Sequence, residues 1–169
     1  MPAAHAPTLL FVEDDPGHAR LIARHLQRAH LPFALVHLGD GQTALDYLRQ
    51  AREAQHPFPC VVLLDLNLPG RSGMDVLGHL KGDPHTRHIP VIMLTTTDEP
   101  HEIEQSYALG CNAYLTKPLA SEQFGEVIRQ LGLFLSYMQV PRGTCTAWPC
   151  IGRSRSSGFV NLLTLLPEP

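Results

Sequence analysis

Apolar runs of four to six residues alternate along this chain with longer stretches in which apolar residues recur at three- and four-residue spacing. The run TLLFV at 8–12 predicts a first strand, β1. It ends in Glu13, Asp14 and Asp15, and Pro16 follows. An aspartate cap with proline at the first helical position starts a helix. Ala19, Ile22, Leu26 and Ala29 then form one face of α1, over 16–29. A second strand, β2, is predicted at 33–38. Gly39, Asp40 and Gly41 turn the chain into α2, over 44–51, marked by Ala44, Leu45, Leu48 and Ala51. CVVLL at 60–64 is β3. Ser72 can cap α3, over 73–80, which carries Met74, Leu77 and Leu80. IPVIML at 89–94 is β4, ending at Thr95, Thr96 and Thr97. A short α4 at 101–109 is closed by Gly110, β5 lies at 112–115, and α5 runs over 121–138 with Phe124, Val127, Ile128, Leu131, Leu135 and Met138 on one side.

Five β–α units in this order predict an α/β fold: a doubly wound, five-stranded parallel sheet of flavodoxin-like topology. β1, β3 and β4 read as unbroken apolar runs, as central parallel strands covered on both faces should. In such folds the site lies outside the carboxyl ends of the strands, where the strand order reverses. One domain is expected over 8–140. Proline, serine and glycine interrupt the remaining 141–169, and no helical period survives there, so a mostly irregular tail is expected.

Bulk properties narrow the partners. The chain has 169 residues, 44% of them apolar and 17% charged, which fits one globular domain. A net charge of −3 gives no footing for nucleic acid or an anionic membrane surface. The N-terminus lacks a secretory pattern, and no apolar run approaches a membrane span, so a cytoplasmic protein is expected. Cys60 and Cys111 flank apolar runs and read as small buried thiols. Cys145 and Cys150 stand in the tail with no histidine nearby, which argues against zinc.

The chemistry gathers at the strand ends. Glu13 and Asp14 follow β1, Asp65 follows β3, Thr95 follows β4 and Lys117 follows β5. Singly, each has an ordinary reading: a helix cap, a strand-end hydroxyl, a solvated lysine. A parallel sheet projects all of them from one edge. Three carboxylates packed together repel and call for a cation, and an all-oxygen set suits Mg²⁺. One carboxylate is then free to act as a nucleophile toward a phosphoryl group, because it needs no general base. Mg²⁺ and the lysine would neutralise the transferring charge, and the threonine hydroxyl could donate to a phosphoryl oxygen.

The motifs LLFVEDDP (9–16), VVLLDLNLPG (61–70), PVIMLTT (90–96) and YLTKP (114–118) resemble the receiver domain of two-component response regulators, over roughly 8–138. The resemblance implies that Asp65 is the phospho-accepting aspartate. Glu13, Asp14 and Asp65 would hold Mg²⁺, with Asn67 lending its backbone carbonyl. Thr95 and Lys117 would be the switch threonine and the pocket lysine, and Tyr114 the aromatic switch. It implies a cis Lys117–Pro118 bond, and it gives Asn67 and Thr97 the positions that tune phosphoryl lifetime. It further implies a signalling protein rather than an enzyme. The stretches LDLNLPG, LTTTDE and SYALGCNAYLTKP are most similar to single-domain regulators of phytochrome-type sensor kinases. That implies a phytochrome-type sensor histidine kinase as phosphodonor, and a homodimer through the α4–β5–α5 face. The alternative within the family is a phosphorelay intermediate or phosphate sink serving a histidine phosphotransfer partner. An aspartate-based phosphatase is disfavoured because Asn67 stands where a second acid is needed. A flavin module is disfavoured because Glu13, Asp14 and Asp15 would repel its phosphate.

Overall fold

A computed structural model describes residues 7–137. The expectations placed on Cys145, Cys150, Met138 and the irregular tail over 141–169 lie outside the described residues. The elements follow the expected order: β1 (Thr8–Val12), α1 (Pro16–Arg28), β2 (Ala34–Leu38), α2 (Gly41–Glu53), β3 (Val61–Leu64), α3 (Gly73–Gly82), β4 (Val91–Thr95), α4 (Pro100–Leu109), β5 (Ala113–Thr116) and α5 (Ser121–Tyr137). The sheet is wholly parallel with strand order β2-β1-β3-β4-β5.

Alternation along each strand divides the core in two. Leu9, Phe11, Val61, Leu63, Ile92, Leu94, Ala113 and Leu115 point to one face, where Ile22 and Leu26 of α1 and Phe124, Ile128, Leu131 and Leu135 of α5 cover them. Leu10, Val12, Val62, Leu64, Val91, Met93 and Tyr114 point to the other, against Leu48 of α2 and Val76, Leu77 and Leu80 of α3. Every residue of β1 beyond Thr8, and all of β3 and β4, is buried. Two-sided burial is why these strands show no polar alternation. β2 is an edge strand and half exposed, so its pattern is weaker.

The helix ends follow local chemistry. Asp15 caps α1 by accepting from the His18 N–H at 2.8 Å, with Pro16 in the first turn. Asp40 caps α2 through Thr43. Ser72 and Asp75 form a reciprocal capping box at α3. Gly110 ends α4 at φ 103°, a conformation that side chains with a Cβ avoid. β4 begins two residues later than expected, after Pro90, which has no N–H to give a neighbouring strand. Cys111 is buried as expected, and burial pushes its thiol up to about 11; Cys60 is only half-buried. The Lys117–Pro118 bond is trans, not cis as the resemblance implied. Trans is the lower-energy isomer of an X–Pro bond by about 0.5–1 kcal/mol.

Candidate functional site

The switch in strand order lies at β1, which pairs with β2 on one side and β3 on the other. Val12 is in register with Leu64, so Glu13 and Asp65 leave the sheet side by side. The Asp65 N–H donates to the Val12 carbonyl at 3.1 Å, and the Glu13 N–H donates to the Leu38 carbonyl at 3.0 Å. Thr95 is in register with Thr116, and the Lys117 N–H returns to the Thr95 carbonyl at 2.6 Å. These four side chains therefore meet at one sheet edge because the parallel ladder leaves them no other place.

Lys117 is 2% exposed, and its ammonium group lies between two buried carboxylates. It donates to Asp65 Oδ2 at 2.6 Å and also to Glu13 Oε2. Asp14 is exposed at the rim. Glu13, Asp14 and Asp65 each present an oxygen within 4.8 Å of the others, so this cluster could hold a metal ion. The donor chemistry fits a hard divalent cation. Three carboxylates against one ammonium leave two negative charges uncompensated at the pocket. Burial pushes the Glu13 carboxyl above its ordinary value, opposed by the Lys117 hydrogen bond and charge and assisted by the charge of Asp65.

The neighbouring groups fix this cluster. The Asn67 N–H donates to Asp65 Oδ1 at 3.3 Å, closing a local turn, and the Asn67 side chain is exposed. The Asp15 N–H donates to Glu13 Oε1 at 3.1 Å. Gly73, the first residue of α3, lies so close to the end of β3 that a Cβ would stand 2.1 Å from the Asp65 carbonyl oxygen. Thr95 is fully buried, and its hydroxyl has no hydrogen-bond partner among the described residues. Tyr114 is buried with its hydroxyl donating to the Thr97 carbonyl at 3.0 Å. That contact sets the tyrosine beneath the β4–α4 loop, not out on the surface.

The sequence reading missed several supports. His37 stacks on Phe11 with ring centroids 4.7 Å apart, and its Nε2 lies 2.8 Å from the Glu13 carbonyl oxygen. A carbonyl only accepts, so Nε2 carries the proton in this contact. Asn112 accepts from the Val91 N–H at 2.9 Å and from Lys81 Nζ at 3.3 Å, tying the starts of β4 and β5 to α3. The Thr97 hydroxyl donates to Glu102 on α4 at 2.6 Å. Each pairs residues far apart in sequence or in unremarkable polar positions, and spacing carries no signal for them.

A family model described as the response regulator receiver domain matches residues 9–129. Response regulator Rcp1 of Synechocystis is 39% identical over 110 residues, covering 64% of this chain and 75% of that protein. A crystal structure of the Mn²⁺-bound form of Rcp1 aligns with a TM-score of 0.74 at 32% identity, over 80% of this chain and 99% of that one. A receiver domain from Rhodospirillum rubrum aligns with a TM-score of 0.74 at 47% identity, over 80% of this chain and 97% of that one. The phosphorylated cyanobacterial phytochrome response regulator RcpA aligns with a TM-score of 0.72 at 34% identity, over 80% and 98%. This chain belongs to the response regulator receiver family and is related to phytochrome response regulators.

Proposed function

From membership of that family, we propose that this protein accepts a phosphoryl group on Asp65 from a sensor histidine kinase and signals through its α4–β5–α5 surface. The observation that carries this reading is the buried Lys117 ammonium between Glu13 and Asp65, beside a third carboxylate on Asp14. Such a charge set has little use as a structural ion pair, since a buried carboxylate pair with one counter-ion is costly. It suits a site that takes up a cation and a phosphoryl group.

In this reading Glu13, Asp14, Asp65 and the backbone carbonyl of Asn67 hold Mg²⁺. When bound, Mg²⁺ neutralises charge on the transferring phosphoryl oxygens. A carboxylate oxygen of Asp65 forms a bond to phosphorus as the phosphorus–nitrogen bond to the kinase histidine breaks, and the electron pair leaves with the imidazole. Lys117 then pairs with the new phosphoryl group, which adds up to about two negative charges. The buried Thr95 hydroxyl, which has no partner among the described residues, donates to a phosphoryl oxygen. Movement of Thr95 is read by Tyr114 on the adjacent strand, since Tyr114 pairs with Met93, two residues before Thr95 and on the same face of β4.

The output surface follows from exposure. Among the described residues, the exposed large apolar side chains are Tyr107 on α4, Leu119 after β5, and Leu133 and Tyr137 on α5. All four belong to the last third of the fold, and their contiguous elements suit a homodimer or partner contact. Kinship with phytochrome regulators points to a phytochrome-type kinase as donor. This chain's described residues hold no helix long and apolar enough to cross a membrane.

The test is the chemical nature of the adduct. Protein treated with phosphoramidate and Mg²⁺ should gain phosphate that hydroxylamine removes, as it removes acyl phosphates, and should then sediment as a larger species. Phosphate stable to hydroxylamine would place the modification on another residue type and overturn the assignment.

A further inference from the structure

The β4–α4 loop carries a contact that the phosphoryl-transfer reading does not use. The Thr97 hydroxyl donates to Glu102 Oε2 at 2.6 Å, across the first turn of α4. The Glu99 N–H donates to the same hydroxyl oxygen at 3.4 Å. Glu99 stands at the cap of α4, yet its own side chain makes no capping hydrogen bond. The first turn is held from outside by Thr97. Glu102 is itself anchored, because the fully buried Ser106 hydroxyl donates to the Glu102 carbonyl at 2.8 Å and lies 3.6 Å from the Met74 sulfur on α3. One turn of α4 thus holds the Thr97 side chain while the body of α3 backs that turn.

The other side of Thr97 faces Tyr114. Its carbonyl takes the Tyr114 hydroxyl at 3.0 Å. A buried tyrosine hydroxyl needs a partner, and the loop backbone is the one present here. We infer that Glu102 is a positioning residue for Tyr114: its carboxylate captures the Thr97 hydroxyl and so sets the Thr97 carbonyl where the buried Tyr114 hydroxyl can reach it. Hydrogen bonds to a carboxylate are stronger than those between neutral groups, so this link dominates the placement of a loop that otherwise ends in an uncapped helix. Burial pushes the Tyr114 hydroxyl up to about 12, and the charges of Glu102, Asp65 and Asp98 add to the effect. The signal from Asp65 would then be read by a tyrosine whose rest position α4 decides. That functional consequence rests on the proposed roles of Asp65 and Tyr114; the placement of Tyr114 does not.

The experiment is fluorine NMR on the full chain labelled with 3-fluorotyrosine, without phosphate. Four tyrosines give four signals, and Tyr114→Phe identifies one of them. Glu102→Ala and Thr97→Val should each shift or split the Tyr114 signal toward the solvent-exposed value, with a change in population of about tenfold, the size set by one charge-assisted hydrogen bond. Glu102→Gln, which keeps an acceptor at the same place, should recover most of the wild-type signal. The double variant Glu102→Ala with Thr97→Val should go no further than either single change. An unmoved Tyr114 signal in both single variants, or additive changes in the double variant, would overturn the inference. Phosphoryl lifetime is measured separately on the same proteins. A shifted Tyr114 signal in a chain that accepts no phosphate would leave this inference standing and remove the reading of Asp65.

Discussion

Thr95 and Lys117 are polar side chains buried at the same sheet edge, and they obey opposite energetics. The Thr95 hydroxyl is fully buried and bonds to no other group among the described residues. Replacing it by valine removes a polar atom that has no partner to lose. Thr95→Val should therefore keep or raise stability, by about 1 kcal/mol in urea unfolding, since an unsatisfied buried group costs roughly that much or more. The same variant should still accept phosphate while its surface change weakens, read as reduced phosphorylation-dependent association. Lys117 is the reverse case. Lys117→Met leaves Glu13 and Asp65 buried without their cation. Breaking a buried pair in this way costs about 3–5 kcal/mol. Denaturant unfolding should show that loss at neutral pH, and a loss under 1 kcal/mol would mean that the pocket is far wetter than its burial indicates. A lone lysine after a strand reads as a solvated surface residue, and it was the company of Asp65, Glu13 and Thr95 at matching strand ends that singled it out.

At the scale of elements, the sequence made legible what depends on periodicity and on cap chemistry. All five strands and all five helices appear in order, and Asp15, Ser72 and Gly110 end or begin helices as their types dictate. The edges of β4 and β5 slipped by one or two residues, because Pro90 and Asn112 act through one missing donor and one side-chain acceptor. Two long-range supports were illegible, His37 beneath the Glu13 carbonyl and Lys81 across to Asn112, and so was the local contact of Thr97 with Glu102, because no spacing rule connects these residues. Gly73 shows how an element boundary positions the chemistry. A Cβ there would stand 2.1 Å from the Asp65 carbonyl oxygen, so α3 must tilt or the end of β3 must move. Gly73→Ala should cost about 1–3 kcal/mol, the range of overpacked cores, and slow phosphorylation of Asp65 as well. Unchanged phosphorylation kinetics in a destabilised Gly73→Ala would show that α3 does not set the acceptor's position.

For the whole molecule, the pocket links charge to folding. Burial holds the Glu13 carboxyl above its ordinary value of 4.5. Between that ordinary value and the raised one, the metal-free folded protein binds a proton more tightly than the unfolded chain does. This group contributes stability below pH 4.5 that is lost as pH rises through its raised folded value. A bound divalent cation favours the ionised form and opposes that loss. The melting temperature should therefore rise more on adding Mg²⁺ at pH 7.5 than at pH 5, and saturating metal at about a hundred times its Kd should contribute about 2.7 kcal/mol. An equal gain at both pH values would place the metal away from Glu13. Together these buried charges would form a Mg²⁺-dependent phosphoryl acceptor on one residue, Asp65. The most direct test is the intact mass of the protein after incubation with a small acyl phosphate, with and without Mg²⁺, beside Asp65→Asn. One added phosphoryl group is expected on the unaltered protein only with Mg²⁺ present, and none on Asp65→Asn. Equal addition to both proteins, or addition indifferent to Mg²⁺, would contradict it.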